Sequence, residues 1–171
     1  TQSYSKMYLW ADSDPYDMLG GANKWMDGDY APAEEALPIG STLFISSSTA
    51  GTMVSAGEVS NETSIQITLS KGLTQIANPF PKAIALNDIT ITGLVGYDWD
   101  NFVEGDFVSI WDPATQSYSK MYLWADSDPY DMLGGANKWM DGDYAPAEEV
   151  IPVGGAIFIM STNGGSATFA K

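Results

Sequence analysis

Residues Thr1 to Glu35 recur without one change as Thr115 to Glu149. No other feature limits the fold as much, because a stretch present twice has to find suitable surroundings twice. Past Glu35 and Glu149 the two copies diverge abruptly, yet their apolar positions persist. Leu37 stands opposite Ile151, Ile39 opposite Val153 and Leu43 opposite Ile157, and Phe44-Ile45 returns as Phe158-Ile159. Polar positions that drift while apolar ones hold are what a shared buried strand requires. The chain therefore reads as three segments, A (1–57), B (58–114) and A′ (115–171). B and A′ make a complete unit (58–171), and A is a surplus copy of its second half. Identity followed by sharp divergence fits recent duplication, gene conversion, or a sequence engineered or reconstructed from a repetitive gene.

Strand signals dominate. Thr63 to Leu69 alternates polar and apolar residues strictly, the pattern of a half-buried strand, and Asn87 to Thr92 repeats it before Gly93. Phe107 to Trp111 follows Gly105-Asp106, and Ser5 to Trp10 is rich in aromatics. Gly40 to Ser46 and Gly155 to Met160 read as buried strands between glycine turns. Trp111-Asp112-Pro113 is a strand end running into a turn, so Gln116 to Trp124 is expected to return as the second arm of a hairpin. Segment A begins within that turn and lacks the first arm. One short helix is expected at Tyr16 to Leu19 and again at Tyr130 to Leu133, capped by Asp14 and Asp128. Pro and Gly punctuate at short intervals, which points to an all-β fold: an antiparallel sandwich or barrel-like unit of short strands, one complete unit plus a duplicated half-unit.

Composition removes whole classes of function. Acidic residues outnumber basic ones 22 to 7, for a formal charge of −15, so nucleic acid and anionic membranes are not expected partners. The basic residues are all Lys; Arg, His and Cys are absent. That leaves no bidentate phosphate fork, no imidazole base, no thiol nucleophile and none of the usual zinc ligands. A cysteine-free chain fits a bacterial extracellular protein that does without disulfides, and equally a cytosolic one. No apolar run approaches the roughly 18 residues needed to span a bilayer. Beginning at Thr1, the sequence reads as a processed product, a fragment or the ordered part of something longer.

Three motifs carry a family resemblance: Gly72-Leu-Thr-Gln-Ile-Ala-Asn-Pro-Phe-Pro81, then Trp111-Asp-Pro-Ala-Thr-Gln-Ser-Tyr118, then Ile151-Pro-Val-Gly-Gly-Ala-Ile-Phe158. In this order they resemble a β module that recurs in large secreted and surface proteins of Bacteroidetes and related bacteria. Thr74 departs from the Asn usual there, and Val153-Gly154 stands where a second Pro is common. The resemblance implies a β module of the cell exterior and carries over no catalytic residue. On their own terms, Asn78-Pro79-Phe80-Pro81 is a rigid turn ending a strand, because neither proline can donate to a sheet.

The candidate metal ligands are aspartates: Asp12, Asp14, Asp17, Asp27 and Asp29, repeated as Asp126, Asp128, Asp131, Asp141 and Asp143. Ca²⁺ takes six to eight hard oxygens, which such loops can supply, although the glycine and closing glutamate of an EF-hand are missing. A solvated acidic loop that keeps an aromatic-rich chain soluble is the plainer reading. Glu34-Glu35 and Glu148-Glu149 are poor glycosidase pairs, since neighbours in a strand point to opposite faces. Trp10, Trp25, Tyr8 and Tyr30, their copies Trp124, Trp139, Tyr122 and Tyr144, and Trp99 and Trp111 suit a core or protein interface, or alternatively a glycan platform.

Each chain thus offers two A-type segments and one B. If A′ takes B, A is left with open edges and apolar faces. B is then sandwiched between two A-type segments, or A pairs with the A of another copy, or A folds unaided. The function expected is a non-catalytic extracellular structural protein that self-associates into a filament or surface assembly. A carbohydrate-binding or adhesion module of a larger cell-surface protein is the alternative.

Overall fold

The computed structural model describes residues 5–9, 24–49, 51, 60–98, 103–112, 115–124 and 137–171. The chain is all-β, with antiparallel pairing in every sheet; the one helical turn among the described residues is the 3₁₀ turn Leu86–Asp88. No helix among those residues is long and apolar enough to cross a membrane. The two expected helices at 16–19 and 130–133 lie outside the described residues. There are two compact units, Thr1–Leu37 and Pro38–Lys171. The division falls inside segment A.

The larger unit is sandwich-like. One sheet has five strands, in the order β4 (Gly72–Ala77), β11 (Ala156–Ser161), β7 (Phe107–Asp112), β8 (Ser117–Leu123) and β9 (Trp139–Met140). The other has three, in the order β3 (Ser64–Leu69), β12 (Gly165–Ala170) and β6 (Thr90–Thr92). A two-stranded ribbon joins β5 (Ile84–Ala85) to β10 (Val150–Ile151). The inward residues of both large sheets meet in one core: Ile76, Val108, Met121, Leu123, Ile157 and Ile159 from the first, Leu69, Ile91, Ala167 and Phe169 from the second. The alternation of β3 and β11 is the period of two that a pleated strand imposes. The expected hairpin is present, with Trp111 opposite Tyr118 and Phe107 opposite Tyr122.

The smaller unit holds one hairpin, β1 (Tyr8–Leu9) with β2 (Trp25–Met26). Of the strand expected at Ser5 to Trp10, β1 is the part that pairs among the described residues, and the strand expected from Asn87 is confined to β6. Asn87 lies in the 3₁₀ turn instead.

Close backbone approaches pin the larger unit together. A methyl group on Gly105 would collide with the backbone nitrogen of Tyr97 and lie 2.9 Å from the Leu123 carbonyl oxygen. Backbone cannot yield as a flexible side chain does, so G105A is expected to cost at least about 1–3 kcal/mol, read as a fall in the urea midpoint.

Candidate functional site: a half-unit seen covered and uncovered

B covers A′ along several elements. β11 is inserted between β4 and β7, and β8 pairs with the other edge of β7. Asn87 of B clamps A′: its Nδ2 donates to the carbonyls of Trp139 (3.1 Å) and Ala147 (2.9 Å), and the Trp139 N–H donates to its Oδ1 at 2.7 Å. Asn78 donates to the carbonyls of Lys82, Ile151 and Pro152 while accepting from the Phe80 N–H. Asp106, buried, accepts from the Val95 N–H and from both the N–H and hydroxyl of Thr162. Sequence reasoning missed these three residues. The only signal they leave is a polar residue at the lip of an apolar strand, and their partners come from remote segments.

Where both copies of the identical stretch are described, they adopt the same local fold. β8 and β9 pair as Tyr122↔Met140 and Leu123↔Trp139; β1 and β2 pair as Tyr8↔Met26 and Leu9↔Trp25. Ala147 N–H donates to Trp139 O, and Ala33 N–H to Trp25 O. Tyr144 and Tyr30 share the left-handed conformation, with φ of 62° and 63°. Surroundings alone differ. Trp139 is 1% exposed and Leu123 0%, against 41% for Trp25 and 52% for Leu9.

The divergent stretch behaves likewise. Pro152 to Gly155 and Pro38 to Ser41 form matching turns, closed by Gly155 N–H to Pro152 O and Ser41 N–H to Pro38 O, with Gly154 and Gly40 at positive φ. Beyond the turn, Ile157 and Ile159 are buried in β11. Their counterparts Leu43 and Ile45 are 43% and 46% exposed, and 41–47 form no strand. The expectation of a buried strand at Gly40 to Ser46 is therefore corrected. The pattern is right, but the slot between β4 and β7 is already filled by β11. What remains for segment A is the outer edge of β4, where Ala77 N–H donates to Gly40 O at 2.9 Å and Phe44 stacks on Phe158 at 6.0 Å.

Only the last third of each copy can decide which one B accepts. Ala167 and Phe169 are fully buried in β12, whereas the matching residues of A are Met53 and Ser55. Gly164 sits at φ +88° with Leu69 O 3.1 Å from where a Cβ would lie, and its match is Ala50. An overlarge residue, a lost phenyl ring and a methyl at positive φ each penalise A in that slot.

The outward face of the five-stranded sheet is aromatic. Rings run from Phe44 to Phe158 (6.0 Å), to Tyr118 (5.8 Å), to Trp111 (4.8 Å). Beside them Lys120 Nζ sits 3.7 Å from the Phe107 ring centroid and 4.8 Å from that of Tyr122. The rings are tilted, at 78° between Tyr118 and Phe158 and 57° between Trp111 and Tyr118. Phe44 and Phe158 are near parallel, at 22°, so the stripe mixes stacked and edge-to-face pairs. Trp124 and Trp139 are core residues, and Trp10 and Trp99 lie outside the described residues.

Of the aspartates, Asp12, Asp14, Asp17, Asp126, Asp128 and Asp131 lie outside the described residues. Asp27 Oδ1 accepts from the N–H groups of Asp29 and Ala31, and Asp141 Oδ1 from those of Asp143 and Ala145. These carboxylates close their own turns, and among the described residues no three acidic side chains converge on one point. Glu148 is exposed and Glu149 half-buried, while both Glu34 and Glu35 are exposed. A cavity of about 260 Å³ is lined by Tyr97, Glu104, Tyr122, Asp141 and Tyr144. Glu104 there is exposed and Asp141 is tied to its turn, so it lacks a buried carboxylate pair poised for acid–base work. No protein-family profile matches this chain, and no curated protein or solved structure is significantly similar to it.

Proposed function

We propose that this is a non-catalytic structural repeat protein of the cell exterior that joins copies of itself through its surplus half-unit, into a filament or surface assembly. One observation carries the reading: the same half-unit occurs twice, once buried against B and once with Trp25, Leu37, Leu43, Phe44 and Ile45 exposed. Apolar surface of that kind on a folded chain marks an interaction site. The placement outside the cell rests on the resemblance to secreted surface modules. Negative-stain electron microscopy with light scattering, at high micromolar concentration and with or without millimolar Ca²⁺, tests it. Filaments, arrays or defined oligomers are expected, and a dependence on Ca²⁺ would give the repeated aspartates a role. A monodisperse monomer under both conditions would overturn the reading.

The exposed stripe of Trp111, Tyr118 and Phe44 favours a second reading, a glycan-binding adhesion module. Titration with oligosaccharides, followed by tryptophan emission, separates the two.

A further inference from the structure

We infer that the joint between copies is the aromatic outer face of the five-stranded sheet together with residues 39–45, and that the same face of a second copy covers it. The inference rests on the self-association proposed above and names its surface and partner. Burial of Ile76, Val108, Met121, Leu123, Ile157 and Ile159 fixes which residues of β4, β11, β7 and β8 point outward, since a strand alternates. Among those outward positions are Leu73, Phe107, Trp111, Tyr118, Phe158 and Lys120. One of them is charged, Lys120, and its ammonium group lies over the Phe107 ring. The neighbouring residues 38–49 carry no charge at all.

On a chain with 22 carboxylates, none of these outward positions holds one, and among the described residues Glu104 and Asp141 border the face only at its Tyr122 end. Two copies of net charge −15 repel where their acidic surfaces meet, so close approach is least opposed across the face with the fewest carboxylates. Its composition is that of an interface core: aromatics and Met exposed, acids absent. Stoichiometry names the partner. The B slots of a second copy are filled by its own A′, so joining through them would only release another A-type segment. A face-to-face contact leaves every B–A′ pair intact and covers Phe44 and its neighbours in both copies. Such a contact is isologous and produces a dimer, the unit from which larger assemblies would be built.

Sedimentation velocity on the intact chain tests this. The double variant F44E/Y118K replaces two exposed side chains, and a thermal melt checks that its fold is kept. It is expected to weaken dimerisation by about 100-fold, as loss of central aromatic anchors does. L9K, in the 1–37 hairpin, is expected to leave dimerisation unchanged. If L9K dissociates the copies while F44E/Y118K does not, the inference is overturned and self-association through the surplus half stands. A wild-type chain that stays monomeric overturns both. A monomer whose tryptophan emission shifts with a polysaccharide also overturns it, and assigns the face to glycan.

Discussion

A chain ending at residue 114 is expected to fold, with segment A taking the place that A′ holds in the intact protein. A and B together contain every element of the unit in permuted order. The permutation is geometrically open because the end of A′ returns to the start of B: Lys171 N–H donates to Thr63 O at 2.9 Å and its Nζ to Ser60 O at 2.6 Å. Gly57, the counterpart of Lys171, continues directly into Glu58. In the shortened chain Trp25 replaces Trp139 beneath Asn87, and Leu43 and Ile45 replace Ile157 and Ile159. Ser55 in the place of Phe169 leaves a cavity that costs about 3–5 kcal/mol, a large part of a typical domain's stability. The expected result is a cooperative unfolding transition at markedly lower urea than the intact chain, with tryptophan emission showing Trp25 removed from water. Restoring a phenyl group with S55F should raise the midpoint. A disordered 1–114 chain, with broad collapsed amide resonances, would mean that A is no complement of B.

The replacement of Asp106 by Ala is expected to destabilise the intact chain by about 3–5 kcal/mol. Asp106 is the junction of three segments: its carboxylate accepts from Val95 before β7 and Thr162 after β11, and its backbone carbonyl accepts from the Leu123 N–H at the end of β8. Truncation leaves two backbone N–H groups and a hydroxyl without an acceptor, each costing about 1–3 kcal/mol less whatever entering water recovers. D106N keeps an acceptor and the shape, so it should fall between wild type and D106A. Equilibrium urea unfolding measures all three. A D106A chain within about 0.5 kcal/mol of wild type would show that water replaces the carboxylate at no penalty.

Local patterns were legible wherever one face of a strand is buried for its whole length. β3 could be read from alternation, β11 as an apolar run between glycine turns, and the β7–β8 hairpin from the turn signal at Asp112-Pro113. The two-residue strands β2, β5 and β9 could not, because two residues carry no period and pair only where another segment lies alongside. The clamps formed by Asn78, Asn87 and Asp106 were invisible for a related reason. A lone Asn or Asp beside a turn looks the same whether it faces solvent or three remote backbone groups. The aromatic stripe was half legible: the rings could be counted, but their tilt and shared face come from strand register.

The identical copies separate the two levels cleanly. The sequence by itself determined the hairpin, its Asp-closed turn and the left-handed Tyr30 and Tyr144, since these depend on neighbours a few residues away and both copies have the same neighbours. Only the tertiary structure decided that Trp139 is core and Trp25 is surface, and that Phe158 belongs to a strand and Phe44 does not. B has one slot between β4 and β7, and a slot filled once is closed to the second copy, whatever its sequence. Burial is a property of occupancy as well as of residue type, and occupancy cannot be read from a repeat taken alone.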